Sequence, residues 1–163
     1  MLSIRVQNIL TANSDILVLS ANPSLLAGSG ISGVIHKAAG PNLEAAAKPF
    51  APLEPGRSII TPAFDLPAKY IIHTVCPRYM DGQRGESEQL YNAYASALAL
   101  HDQSPEAKSI AFVSMGTGVY KWPMELAAGI AVRALLTSMF ESTLMCVTDE
   151  LTRLTYEGLP NLN

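Results

Sequence analysis

The stretch Ala27–His36, "AGSGISGVIH", decides how the chain is read. Gly28, Gly30 and Gly33 fit G-x-G-x-x-G, a spacing in which a glycine loop opens a helix. Bare backbone N–H groups and the positive end of the helix dipole then face a diphosphate. In a dinucleotide-binding Rossmann unit the first glycine ends the first strand directly. A second strand follows the helix and carries an acid roughly 20 residues on. Here "NPSLLA" (22–27) separates the strand from Gly28, and the place of the second strand holds Pro49, Pro52 and Pro55 around Glu54. A central strand excludes such prolines. No Gly-Lys-Ser/Thr follows, so a Walker A loop is excluded as well.

A second glycine loop gives the first one a partner. "SMGTGVYKWP" (114–123) follows the apolar run "SIAFV" and precedes a helical pattern. Two strand–loop–helix junctions at the carboxyl side of one sheet form a clamp for a diphosphate lying between them.

Strands are predicted at 3–7, 15–21, 58–62, 69–75, 109–115 and 142–147, short runs rich in β-branched residues. Several are apolar at consecutive positions, as expected where helices cover both faces. Helices are predicted from residue 32 to 40 with Val34, Ile35, Ala38 and Ala39 as one stripe, and along Leu90, Tyr94, Ala97, Leu98 and His101. Another starts with Pro123 in its first turn and buries Ala127, Ile130, Ala131, Ala134 and Leu135, and a short one closes the chain at 150–158. The segments 48–57 and 76–87 read as loops. Alternating strands and helices predict one α/β domain over residues 1–163 with a mixed central sheet.

The chain has 163 residues, 48% hydrophobic and 15% charged, which suits a folded core. A net charge of −3 supplies no basic footprint and disfavours tight binding to nucleic acid. Cys76 and Cys146 are too few for a disulfide framework and predict buried thiols in a reducing compartment. The start "MLSIRVQNIL" has no signal-peptide pattern, and no apolar run reaches the roughly 18 residues of a membrane span. A cytoplasmic protein is expected. No His/Cys/Asp group has metal-ligand spacing, so neither metal nor cofactor is called for. His36 and His73 sit in apolar patterns and read as core histidines.

The residues resemble the macrodomain family. "DILVLSANPSLLAGSGISGVIHKAAGPNLE" (15–44) is similar to its first signature, "PGRSIITPAFDLPAKYIIHTVCP" (55–77) to the segment after it, and "SIAFVSMGTGVYKWPMELAAGIAVRAL" (109–135) to its second loop and helix. The resemblance is to the bacterial MacroD-type branch, which removes ADP-ribose from modified proteins and deacetylates O-acetyl-ADP-ribose. It implies a three-layer α/β/α sandwich whose cleft takes ADP-ribose, free or attached to protein. Gly28, Ser29, Gly30, Ile31 and Gly33 would cradle one side of the diphosphate. Ser114, Gly116, Thr117, Gly118, Val119 and Tyr120 would close the other, with Tyr120 against the distal ribose. Asn8, Ile9, Ala21 and Val147 complete the implied contacts.

The sequence also departs from the family. The pattern Asn-Ala-Ala-Asn is here Leu19-Ser20-Ala21-Asn22, so only the last asparagine, which would orient the distal ribose and the reacting centre, survives. The aspartate expected to activate water is Ser32, whose hydroxyl cannot take a proton at neutral pH; losing a general base costs on the order of 10²–10⁴-fold. Ser32 also suits a helix cap. The aspartate that receives the adenine amino group is Asn8, and the aromatic that stacks on adenine is Val147 or Thr148. The implied function is an ADP-ribosyl hydrolase or O-acetyl-ADP-ribose deacetylase of impaired turnover, with Asn22 and Ser32 at the reacting centre. The alternative is a module that binds ADP-ribose or another nucleoside diphosphate without turnover.

Overall fold

The computed structural model describes residues 1–116 and 120–160. Six strands form one sheet: β1 (Leu2–Val6), β2 (Ile16–Ala21), β3 (Ser58–Pro62), β4 (Tyr70–Val75), β5 (Ser109–Val113) and β6 (Ser142–Val147). Their order is β1-β6-β5-β2-β4-β3. Every pairing is parallel except β3 with β4, where Ile60 faces Ile72. The sheet is therefore mixed, with its antiparallel strand at an edge.

Alternation along the strands feeds two cores. Ile16, Val18, Ile72, Ile110, Phe112 and Met145 pack against α3 (Glu86–Ala99), α4 (Met124–Leu135) and Tyr156 of α5 (Glu150–Glu157). Leu17, Leu19, Ile71, Ala111 and Leu144 pack on the other face against α1 (Gly30–Ala39) and α2 (Asn42–Ala47). The result is a three-layer α/β/α sandwich. Truncating a core anchor such as Leu90 to alanine costs about 2–5 kcal/mol. No helix among the described residues is long and apolar enough to cross a membrane.

Helix α1 departs from its predicted stripe. It starts at Gly30, and its buried residues are Ser32, Ile35, His36 and Ala39, while Val34 is 47% exposed. The face toward the sheet thus carries a hydroxyl and an imidazole among the apolar residues, which is why an apolar stripe misplaced it. Helix α2 was not predicted; six residues behind Pro41 hold no full amphipathic period. Pro123 precedes α4 as its cap instead of occupying its first turn.

The crevice follows from topology. β2 and β5 are neighbours, but β2 leads to α1 on one face and β5 to α4 on the other. At such a switch the carboxyl ends of the strands are left uncovered. At the opposite end the Asp15 carboxylate accepts from the N–H of Lys108 (2.8 Å) and Ser109 (3.3 Å), tying β2 to β5. The Lys108 amide, ahead of Lys69 and Ser109, holds that carboxyl below its usual range.

Candidate functional site

A cleft of about 940 Å³ lies over the carboxyl ends of β1, β6, β5 and β2, four strands consecutive in the sheet. Three inter-strand steps give it a length of about 14 Å or more. Its two ends differ. Val6, Ile9, Cys146 and Val147 make the β1/β6 end apolar, with Asn8 and Thr148 as polar groups beside them. At the β2 end the walls are Ala21, Asn22 and the chain from Gly28 to Ser32.

That chain is a row of unused donors. Gly28 and Gly30 have φ of +66° and +61°, which glycine adopts without strain. Ser29 precedes α1 without capping it through its side chain. Among the described residues no protein acceptor takes the N–H of Gly28, Ser29, Gly30, Ile31 or Ser32. Those amides and the positive end of α1 therefore front the cleft. Gly33 is the exception among the predicted cradle residues. It does not line the cleft, and its N–H donates to Ser29 O at 3.2 Å. The glycine is required instead by packing, because a β-carbon there would stand 2.8 Å from Gly28 O.

Two side chains brace the loop. Asn22 Oδ1 accepts from Ser24 Oγ (2.6 Å) and from the Leu26 N–H (3.2 Å), and its Nδ2 donates to Leu26 O at 3.0 Å. Ser32 is not a helix cap; it sits in the first turn, 8% exposed, and its Oγ donates back to Ala27 O at 2.8 Å.

On the facing side Ser114, Gly116 and Tyr120 line the cleft; Thr117, Gly118 and Val119 lie outside the described residues. Ser114 Oγ is 2.7 Å from Tyr156 Oη, and the Met115 N–H donates to Tyr94 Oη at 2.8 Å. Farther along, the Trp122 N–H donates to Gly116 O (2.9 Å) and the Tyr79 N–H to Tyr120 O (3.1 Å).

The sequence profile of the macro domain matches residues 18–131. The chain belongs to the macro domain family. It is 44% identical over 161 residues to the O-acetyl-ADP-ribose deacetylase of Klebsiella pneumoniae strain 342, covering 93% of this chain and 91% of that protein. Among solved structures, the Oceanobacillus iheyensis macrodomain with ADP superposes with a TM-score of 0.87 at 34% identity, over 96% of this chain and 87% of that one. The Trypanosoma brucei macrodomain in complex with ADP gives 0.83 at 28% identity, over 96% and 67%.

The cleft of this macro domain is uncharged along its described walls. Among the described residues lining it there is no carboxylate, imidazole or amine. Its thiol, Cys146, is pushed up to about 11 by burial against a smaller opposing pull from Arg5, so it stays protonated at neutral pH. His36 and His73 are buried away from the cleft. Leu19, where the resemblance implied asparagine, is fully buried beneath α1. Sequence reasoning missed the residues that hold the second loop from behind. It also missed Glu86, which holds the neighbouring 80–84 segment: its Oε2 accepts from the N–H of Met80 (2.7 Å), Asp81 (3.0 Å) and Gly82 (3.0 Å), and its Oε1 from that of Arg84 (2.6 Å). Burial works to raise the Glu86 pKa, but these four amides outweigh it and bring the carboxyl to about 2. Four local amides within five residues leave no periodic signal in a sequence.

Proposed function

We propose that this macro domain binds ADP-ribose, free or attached to protein, and turns over its ester or glycosidic linkages only slowly. The observation that carries the reading is the run of five unclaimed N–H groups from Gly28 to Ser32 at the uncapped start of α1. A diphosphate satisfies such donors better than water does, because charge-assisted bonds are stronger. The apolar β1/β6 end suits the flat base, with Ile9 and Val147 against it. The distal ribose then falls near Ala21, Asn22 and Tyr120, and Asn22 Oδ1 exchanges the Ser24 hydroxyl for a ribose hydroxyl.

Slow turnover follows from the lining. Attack of water on an O-acetyl ester needs a proton acceptor, and the described walls offer none that is basic at neutral pH. The ligand's own phosphate is left as acceptor, with water held beside Asn22. The same absence supports the second reading, a module that binds without turnover. Calorimetry with ADP-ribose tests binding: no heat at hundreds of micromolar ligand rejects both readings. Incubation with O-acetyl-ADP-ribose beside an active deacetylase then separates slow turnover from none.

A further inference from the structure

Asn8 is fixed in an unusual way for a residue beside the apolar end of the cleft. Its Oδ1 accepts the Leu10 N–H at 2.9 Å, capping the single turn Ile9–Thr11. The carbonyl end of the amide is thereby turned to the backbone. Its Nδ2 donates to no protein atom among the described residues. The other polar groups nearby do not reverse this polarity with a charge. Gln7 turns its Nε2 to Thr11 O (2.9 Å) and Thr11 Oγ1 (3.2 Å). Asp149, which directly follows the cleft residue Thr148, does not line the cleft; it caps α5 by accepting the Thr152 N–H at 2.7 Å. The free, oriented group at this end is a donor.

We infer that Asn8 sets base specificity and opens the cleft to 6-oxopurine nucleoside diphosphates. This rests on the reading that the β1/β6 end takes the base. Adenine presents an amino donor at its 6-position, whereas hypoxanthine presents a carbonyl acceptor there. A carboxylate at position 8 would accept from the amino group and repel the carbonyl oxygen. The Asn8 amide donates to that oxygen, whereas adenine must share the Oδ1 that already accepts the Leu10 N–H. Discrimination against the 6-oxo base is therefore absent.

The test is calorimetric titration with ADP and with inosine diphosphate, which differ only at that edge of the base. The native chain binds inosine diphosphate within fivefold of ADP, or tighter. Asn8→Asp, which caps the same turn equally well, shifts the ratio tenfold or more toward ADP while ADP itself stays bound. ADP binding with inosine diphosphate more than fivefold weaker overturns this inference and leaves the proposed function standing. A ratio unmoved by Asn8→Asp overturns the role of Asn8, and the native ratio decides the inference even where that variant does not fold. Binding of neither nucleotide overturns both readings.

Discussion

Gly33 and the carbonyl of Gly28 stand in direct apposition, with room between them for a hydrogen and not for a methyl group. Because the neighbour is backbone, Gly33→Ala must displace either the loop or α1, and overpacking of this kind costs about 1–3 kcal/mol. The displaced atoms belong to the donor row, so ADP-ribose affinity is expected to fall about tenfold although Gly33 is outside the cleft. Gly129→Ala, in α4 with nothing within 4 Å of the added carbon, is the control. It is expected to stabilise the protein by about 0.5–1 kcal/mol with unchanged affinity. Calorimetry and thermal unfolding of both variants check this, and equal affinities would reject the account.

Trp122, the one tryptophan of the sequence, reports on the second loop. Its indole would lie 2.5 Å from a β-carbon on Gly116, packs against Tyr79 in a tilted pair with ring centroids 5.1 Å apart, and donates from Nε1 to Pro77 O at 2.9 Å. Glu86 holds the 80–84 segment that follows Tyr79. Glu86→Gln replaces an acceptor oxygen with an NH₂ group that faces backbone donors. The segment loosens, Tyr79 and Tyr120 follow, and the indole becomes wetter. The expected readouts are a red-shifted emission and ADP-ribose affinity lowered severalfold. Native emission together with native affinity would show that the 80–84 segment does not govern the loop.

The strands were legible because each is an apolar, β-branched run bounded by turn residues, and burial on both faces left little ambiguity. The cleft was legible where backbone chemistry leaves a mark, at Gly28, Gly30 and Gly116, whose positive φ angles favour glycine. Elsewhere the determinants are relations between distant residues. Nothing local to Tyr94 announces that its hydroxyl receives the Met115 N–H, 21 residues on. Ser32 and His36 were hidden differently: a polar residue on a buried helical face defeats a search for apolar stripes. Gly33 shows the reverse case: a glycine marked for the cradle is constrained by packing against Gly28 O, and its N–H is held by Ser29 O.

Stability is expected to fall on mild acidification, chiefly because of His73, with His36, also lowered by burial, adding to it. It is fully buried, 3.0 Å from Thr61 Oγ1 and 6.1 Å between ring centroids from His36. Burial first, and the His36 charge second, push it down to about 3 from 6.5. The unfolded chain therefore takes up a proton near pH 6.5 that the native state refuses until about pH 3. Unfolding is favoured progressively between those values, by about 1.4 kcal/mol per pH unit, or about 2 kcal/mol at pH 5. Glu86 acts lower down: its stabilisation is present above 4.5 and is lost as pH falls toward about 2. Urea midpoints at pH 7, 6 and 5 measure the slope. His73→Leu should flatten it over that range, and a variant as acid-sensitive as the native protein would assign the effect elsewhere.

Ser32→Asp tests whether turnover is limited by the missing base. The native hydroxyl donates to Ala27 O, which a carboxylate cannot do, so an aspartate there is repelled by that oxygen and turns toward the cleft. The N-terminal end of α1 keeps it ionised, beside the water that Asn22 and the ligand would hold. Deacetylation of O-acetyl-ADP-ribose is expected to rise about 10²-fold or more, in kcat and not in KM, because the carboxylate acts only as a proton leaves the attacking water. Ser32→Ala should leave the rate within about threefold, since a neutral hydroxyl accepts no proton at pH 7. If Ser32→Asp binds ADP-ribose normally and is no faster than the native chain, the deficit lies in the orientation of the ester by Asn22 and the second loop, and restoring a base cannot repair it.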